Sequence, residues 1–444
     1  MLERTVHAVE VRTRRTHVLR AALGYVFPEH WSFLWGEIAL YCFVVLVVTG
    51  TYMTFFFDAS TTHIVYHGSY APLRGQDMSR AYASAVHLSL DVRAGLLARQ
   101  THHWAADVFL AAITIHMARV FFTGAFRKPR EVIFWTGLTL LAAAVLEGYM
   151  GYSMIDDLLS GMGLAIGWSV ATSIPVVGGP LATLLWDGPF PGGTAFESRL
   201  YIAHVLLVPV LIGALIGIHL LLVSLLHHTQ FRGPRETERN VVGLRLWPAY
   251  AVRSLALFAA VTGVLVLMGG LVQINPIWLY GPFHTYLSEN GAQPDWYIGW
   301  LIGALRLVPG WELTAFGRTL VPNPFWGGVL FPLMVFATLY AWPLVERRLS
   351  GDRTTHNILD RPSDNPWRTA FGAAFATWVA VPFFAGSSDR IFLAFGIDYE
   401  GQVATMRVLW AVLPVLVFVV TLRICRAVRD SEAAGRAEAS VDPA

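Results

Sequence analysis

Apolar stretches of roughly twenty residues recur eight times along the chain, and many of the segments between them are rich in arginine. About 20 apolar residues in an α-helix cross the ~30 Å hydrocarbon layer of a bilayer. The pattern therefore predicts an all-α integral membrane protein with eight transmembrane helices. The predicted spans are residues 36–57, 103–122, 133–152, 201–226, 255–274, 325–344, 370–385 and 403–422.

A ninth apolar stretch, residues 158–186, is interrupted by glycine and proline, which argue against one continuous helix. Counting it as a span would reverse the membrane orientation of every later helix and place arginine-rich loops outside the cell. We therefore expect interfacial helices in this loop, after the third span. With a cytoplasmic N-terminus, the arginine-rich segments then all face the cytoplasm, as the positive-inside rule requires. The predicted location is the cell membrane, with both termini cytoplasmic.

The composition agrees with this assignment, since 55% of the 444 residues are hydrophobic and only 14% are charged. A formal net charge of +2 gives no reason to expect a nucleic-acid partner. The two cysteines, Cys42 and Cys425, lie far apart, and the sequence has no CxxCH motif. Neither a covalently attached haem nor a disulfide framework is therefore expected.

Two matched histidine pairs lie in the second and fourth predicted spans, His102 with His116 and His204 with His219. The first pair is 14 residues apart and the second 15, which is roughly 21–23 Å along a helix. Packed side by side, the two helices would present one histidine pair near each membrane surface, as needed to bind two haems. One histidine alone is more often a core residue, but four at matched spacing indicate iron ligands. In an ideal helix, the 15-residue spacing rotates His219 by about 60° from the face that carries His204. A kink or local rewinding of the helix near Pro209 could remove this difference.

The neighbours of these histidines support the interpretation. Arg99 and Arg119 lie one helical turn outside His102 and His116, where haem propionates would accept hydrogen bonds from a guanidinium. Glycines repeat the 14-residue spacing in the first and third spans, which would let a porphyrin approach the backbone, although small residues also serve helix packing. They are Gly36, Gly50, Gly137 and Gly151. His103 falls on another face of its helix and is therefore excluded as a partner of His116.

These residues resemble the cytochrome b family, the membrane subunit of quinol–cytochrome c reductases. The likeness to its actinobacterial branch covers nearly the whole chain, through stretches such as SFLWGEIALY, RQTHHWAADVF and GGLVQINPIW. It implies a dihaem four-helix bundle made by helices 1–4 and four further C-terminal helices. The expected division is a dihaem-binding region (1–230), a C-terminal region with the quinol-site loop (231–430) and a disordered cytoplasmic tail (431–444).

The resemblance also assigns roles to the candidate residues. His102 and His204 would bind a low-potential b-type haem near the outer face, and the other pair a high-potential b-type haem near the cytoplasm. Arg99 and Arg119 would bind the propionates, and the four glycines would pack against the haems. The histidines of the second pair are His116 and His219.

The family's quinol-oxidation motif, Pro-Glu-Trp-Tyr, corresponds to Pro294, Asp295, Trp296 and Tyr297 here. A carboxylate beside aromatic rings near the outer haem can accept the hydroxyl proton of a quinol. Alternatively, the motif is a turn followed by an interfacial aromatic anchor. Tyr152 begins the family's other quinol-site segment, from which the usual Pro-Trp-Gly is missing, so we expect a pocket of different shape.

A second quinone site is expected near the cytoplasmic haem, where the family often has a quinone-binding histidine. His227 and His228 end the fourth span there, and either could donate a hydrogen bond to a quinone or simply face solvent or lipid. We name His228 as the candidate. The acidic residue often found at the start of the fifth helix is replaced here by Arg253 and Ser254.

The resemblance predicts a subunit of quinol–cytochrome c reductase that oxidises quinol, menaquinol in the actinobacterial type, at its outer face. One electron would go to a Rieske iron–sulfur subunit and the other through both haems to a quinone near the cytoplasm, with proton translocation. A cytochrome c subunit, and a terminal oxidase in a supercomplex, are further expected partners in a dimeric complex. The alternatives are a dihaem anchor of a membrane dehydrogenase, and a haem-free transporter that uses histidine and arginine as a proton relay.

Overall fold

The computed structural model describes residues 23–288 and 295–441 and is 68% helical. The N-terminal arginines, Pro294 and the last residues of the predicted tail lie outside the described residues. Eight described helices are long and apolar enough to cross a membrane, so the predicted number of spans is confirmed. They are Trp31–Thr54, Gly95–Phe122, Glu131–Ser153, Phe196–Leu226, Leu246–Leu271, Trp326–Ser350, Pro366–Ala385 and Tyr399–Ala434. We number them as membrane helices 1 to 8.

Shorter elements connect the membrane helices. The ambiguous apolar stretch forms two helices, Leu158–Thr172 and Gly178–Trp186, and not one span, while its interfacial position remains a prediction. Three further short helices, Arg80–Leu90, Trp296–Leu307 and Asp389–Ala394, precede membrane helices 2, 6 and 8. Three antiparallel strand pairs complete the connections: Val26–Phe27 with Leu244–Arg245, His63–Val65 with Asp77–Ser79, and Leu313–Ala315 with Arg318–Val321.

Membrane helix 4 contains a π-helical turn, Ala203–Leu207, which includes His204 and lies directly before the turn with Pro209. Proline has no N–H for the helical ladder, and a π turn holds one residue more than an α turn. The 15-residue spacing from His204 to His219 therefore behaves like the 14-residue spacing of the other pair. The local rewinding expected near Pro209 is confirmed.

The N-terminal half packs around one buried apolar cluster to which each of the first five membrane helices contributes. Its members include Cys42, Phe109, Ala144, Ile212 and Leu265. Membrane helix 1 packs against helix 2 and helix 3 against helix 4, while helix 5 contacts both helices 1 and 2. The arrangement places helices 2 and 4, which carry the histidines, inside the same bundle.

The C-terminal half is built on close contact between membrane helices 7 and 8 and between helix 7 and the short helix Trp296–Leu307. Glycine is required at one crossing, because a Cβ on Gly303 would lie 1.7 Å from the carbonyl oxygen of Pro382. This crossing fixes the short helix whose first residues carry the expected quinol motif. The final helix continues to Val441, into the segment predicted as a tail, and the division into regions remains a prediction.

Candidate haem and quinone sites

His102 and His204 face each other between membrane helices 2 and 4. Their ring centroids are 6.3 Å apart. Metal–imidazole bonds are about 2 Å long, so two imidazoles bound to one iron have their centroids roughly 6 Å apart. The two rings are therefore far enough apart for both to hold the iron of one haem.

Neighbouring side chains orient the two rings. Thr49 Oγ1 donates to the carbonyl oxygen of Val45 at 2.7 Å, so at 2.9 Å it accepts a hydrogen bond from His102 Nδ1. On the other ring, Glu147 Oε1 lies 2.9 Å from His204 Nδ1, near enough for an ion pair although not aligned as a hydrogen bond. Holding Nδ1 in this way leaves Nε2 for the metal, as is usual for histidine ligands. Sequence reasoning missed both partners, although an acid inside an apolar span was a signal for Glu147.

The second histidine pair lies against glycines in a cavity of about 390 Å³. A Cβ on Gly36 would lie 3.2 Å from His116 Cε1, and a Cβ on Gly137 would lie 3.5 Å from His219 Cε1. The buried Nδ1 of His116 has no hydrogen-bond partner among the described residues. Glycine at these two positions keeps open the space beside the imidazoles, where a porphyrin would lie.

His102 and His204 have the same arrangement, so each of the four glycines faces a different histidine. A Cβ on Gly50 would lie 3.2 Å from His102 Cε1, and a Cβ on Gly151 only 2.5 Å from His204 Cε1. The glycine pairs, 14 residues apart, and the histidine pairs, 14 and 15 residues apart, thus place a glycine of one helix against a histidine of its neighbour at four points.

Substitution of Gly151 tests this pattern. We expect Gly151→Val to push His204 out of position and to lower the total haem content of the purified complex to roughly half, measured as haem per chain. Gly217→Val is the control, because it lies on the same helix as His204 and its Cβ would meet nothing within 4 Å. Full haem content in the Gly151 variant would contradict the assignment.

Two arginines lie beside the histidines with unpaired nitrogen atoms. Arg99 is buried, donates from Nη2 to the carbonyl oxygen of Asn275 at 2.9 Å, and leaves its Nε without a partner in the described chain. Arg119 lines the 390 Å³ cavity, lies over the ring of Phe33 at 4.8 Å, and also has an unpaired buried Nε. A buried N–H group of a guanidinium without a hydrogen-bond partner is costly. Carboxylate groups such as haem propionates would satisfy both.

Asp295 lies at the start of the helix Trp296–Leu307, within a buried polar cluster. Its Oδ1 accepts a hydrogen bond from His103 Nε2 at 2.8 Å, and its Oδ2 accepts one from Tyr297 Oη at 3.1 Å. Trp296 interacts with the carboxylate of Asp107. The carboxylate of Asp295 is therefore held by two donors and is mostly shielded from water.

His103 and Asp107 are functional candidates that sequence reasoning missed. One helical turn separates them on membrane helix 2, and their ligand atoms and those of Asp295 all lie within 4.8 Å of one another. Asp107 is only 8% exposed, and its Oδ1 has no partner among the described residues. The four-residue interval between His103 and Asp107 places both on one face of a helix, but it does not indicate that Asp295 lies beside them.

Tyr152 begins the segment in which Ile155, Asp156 and Asp157 stand at the place expected for the family's Pro-Trp-Gly. Tyr152 lies close enough to Asp295 for the two groups to interact electrostatically. Asp157 begins the helix Leu158–Thr172, where its Oδ1 accepts from the backbone N–H groups of Leu159 and Ser160 at 2.8 and 2.9 Å. Burial raises the pKa of Asp157 to about 7 and that of Asp156 to about 6. Both carboxyl groups can therefore exchange protons near neutral pH.

The structure distinguishes between the two histidines at the end of membrane helix 4. Both histidines line the 390 Å³ cavity, but only His228 has a buried Nε2 without a partner among the described residues. Burial, together with Arg119 and Arg130, lowers the pKa of His228 to about 4, so its ring is neutral. His227 is exposed and has a positive φ of 58°. His228 is thus the better candidate to bind a ligand.

Comparison with known proteins gives matches over most of the chain. A family model described as cytochrome b (N-terminal)/b6/petB matches residues 107–282. The chain is 48% identical to the cytochrome bc1 complex cytochrome b subunit of Mycobacterium leprae, over 98% of this chain and 78% of that protein. It is 46% identical to the subunit of the same name in Streptomyces coelicolor, over 91% and 74%. A solved chain of a hyperthermophilic respiratory Complex III has the same fold, with a TM-score of 0.68, 18% identity, and coverage of 95% of this chain and 99% of that one.

Proposed function

This chain belongs to the cytochrome b subunits of cytochrome bc1 complexes, and we propose that it divides the two electrons of a quinol between two acceptors. It is therefore a membrane electron-transport protein that binds b-type haem, and a subunit of quinol–cytochrome c reductase. In the proposal, one electron leaves to a Rieske iron–sulfur subunit. The other crosses the membrane by way of two haems to a quinone.

Four histidines would hold the two haems, which supply one-electron transfer when bound. His102 and His204 would bind the low-potential haem near the outer face, and His116 and His219 the high-potential haem near the cytoplasm. The facing rings of His102 and His204, 6.3 Å apart, are the observation that carries the proposal. The unpaired guanidinium nitrogens of the two arginines beside these histidines support propionate binding at both ends.

At the outer site, Asp295 would accept the hydroxyl proton of the quinol as the electrons leave. Its hydrogen bonds with His103 and Tyr297 orient the carboxylate before the substrate arrives. The side chain is 15% exposed, so little water competes for the proton. Tyr152 would line the same pocket.

At the inner site, His228 would donate a hydrogen bond to a quinone carbonyl. It lines the cavity that also contains His116 and His219, so a quinone bound there would lie beside the inner histidine pair. The unpaired Nε2 of His228 supports this role, because a buried polar atom without a partner is costly until a ligand satisfies it.

Membership of the family supports a proposal for the partner subunits, the assembly and the substrate. The related proteins are named as subunits of a cytochrome bc1 complex, so we propose Rieske and cytochrome c subunits as partners. A dimeric assembly, a terminal oxidase in a supercomplex and menaquinol as substrate are part of the same proposal. We place both termini in the cytoplasm, with protons released outside and taken up inside. Membership of this family sets aside the dehydrogenase anchor and the transporter.

An oxidant pulse tests the division of electrons. When ferricyanide is added to the anaerobic complex supplied with menaquinol, we expect haem b to become transiently more reduced, because removal of the first electron releases the second. The visible spectrum records this change before the inner quinone reoxidises the haem. The Asp295→Asn variant is the control and should lose the transient. Oxidation of haem b from the first moment would contradict the proposal.

A further inference from the structure

The inner cavity is lined by two carboxylates, Glu29 and Glu37, which the proposed function does not use. Glu37 lies in the first turns of membrane helix 1, directly after Gly36, the glycine that faces His116. It therefore lies beside the space expected for the inner haem and for a quinone.

The contacts of Glu37 are unusual for a carboxylate in a membrane helix. Its Oε1 accepts a hydrogen bond from Tyr250 Oη at 2.5 Å. Its Oε2 lies 3.0 Å from Ser254 Oγ and 3.2 Å from Tyr41 Oη, and these two hydroxyls also hydrogen-bond to each other. Because each hydroxyl carries one proton, one of them donates to Oε2 and the other donates to its hydroxyl neighbour. All three partners are hydroxyl groups, which can rearrange when the carboxyl gains or loses a proton.

Glu29 has a different environment. It pairs with Arg253, whose Nη1 lies 2.5 Å from Glu29 Oε1, and the two side chains are 53% and 57% exposed. Within the described part of the chain, Glu37 forms no ion pair of this kind. The two acids therefore differ in whether a cation neutralises them. Arg253 neutralises Glu29 at the exposed rim of the cavity, whereas the partners of Glu37 named above are hydroxyl groups, which leave its carboxyl free to exchange a proton with a ligand in the cavity.

The ring of Phe27 connects Glu37's partner to the quinone-binding candidate. It stacks on Tyr250 with centroids 3.8 Å apart and lies 5.0 Å from the ring of His228. The Glu37–Tyr250 pair and His228 are thus separated by about one aromatic ring. Glu37, Tyr250 and His228 all line the same cavity, so a quinone bound there could direct one carbonyl toward Glu37 and the other toward His228.

We propose that Glu37 is the carboxyl group that delivers protons to a quinone reduced in this cavity. The inference rests on the proposed function of the cavity as a quinone site. Reduction of one quinone takes two electrons, supplied by quinol oxidised at the outer site, and two protons. Glu37 gives its proton to one carbonyl oxygen, forming the O–H bond, and the hydroxyls of Tyr250 and Ser254 stabilise the carboxylate that remains. Water at the exposed rim of the cavity then reprotonates Glu37. The second proton goes to the other carbonyl oxygen: His228 gives up its Nε2–H there while its Nδ1 takes up a proton from water, so that each oxygen carries one O–H bond.

The test compares Glu37→Gln with Glu29→Gln in the intact purified complex. Two quantities are measured: the quinone extracted per complex, and the rate at which reduced haem b is reoxidised through the inner cavity as pH is varied. Glutamine keeps the size and a hydrogen-bond acceptor but carries no transferable proton. We expect Glu37→Gln to retain its quinone and haem spectrum and to slow reoxidation by roughly 10- to 100-fold, with a flattened pH profile.

The control variants define the outcome. Glu29→Gln should stay within about twofold of the parent, and Glu37→Asp should recover part of the rate and its pH dependence, which a purely structural role would not predict. Equal rates in the parent and Glu37→Gln, with quinone bound in both, would overturn the role of Glu37 alone. Equal losses in the two glutamine variants would also overturn it. A parent complex without quinone in this cavity would instead refute the inner site of the proposed function, and the inference with it.

Discussion

Replacing Asp295 by asparagine is expected to slow quinol oxidation by about 100- to 10,000-fold. Asparagine can occupy the same space but cannot accept the quinol proton, and the carboxylate is the group that His103 and Tyr297 hold in place. The steady-state rate of quinol:cytochrome c reduction measures the loss. The rate of haem b reduction by quinol should fall by the same factor, because the slow step precedes both acceptors.

Two further variants make this result specific. Asp295→Glu keeps the carboxylate and matches the common form of the motif, so we expect it to lose less than about tenfold. Asp77→Asn removes an exposed acid that pairs with His63, and it should leave the rate unchanged. An Asp295→Asn complex with the rate of the parent would show that another group accepts the proton.

Removal of a single histidine ligand is expected to remove one haem and stop turnover. We expect His102→Ala and His219→Ala each to retain about one haem per chain, because each histidine belongs to a different pair. Turnover should fall by about 1000-fold or more in both, since electrons lose their path across the membrane. Haem extraction and steady-state assays measure the two effects.

The control for the histidine variants is His87→Asn. His87 is exposed and pairs with Asp91 in the short helix Arg80–Leu90, outside the cavity. We expect this variant to keep both haems and most of its turnover. Loss of both haems in either alanine variant would mean that the pairs are not independent sites.

Much of the fold was predictable because hydropathy and helical spacing are local signals. The eight apolar stretches identified the membrane helices, and the histidine pairs, 14 and 15 residues apart, indicated that membrane helices 2 and 4 lie side by side. The π turn at Ala203–Leu207 was foreseen only as an irregularity near Pro209. Its form depends on how the backbone compensates for the missing N–H, which spacing alone does not determine.

The polar contacts between distant segments were not predictable. His103 was excluded as a haem ligand by its position on the helix, yet that same face brings it to Asp295, in a segment far along the chain. Glu37 of membrane helix 1 likewise contacts Ser254 of membrane helix 5. Such contacts depend on the relative rotation and depth of packed helices, which periodicity within one helix does not specify.

A redox titration of the visible spectrum of the purified complex, with the His102→Ala and His219→Ala variants alongside, tests the central claim most directly. The account predicts two b-type components of different midpoint potential in the parent. Each substitution should remove a different one. A single component in the parent, or loss of the same component in both variants, would contradict the assignment of two histidine pairs to two haems.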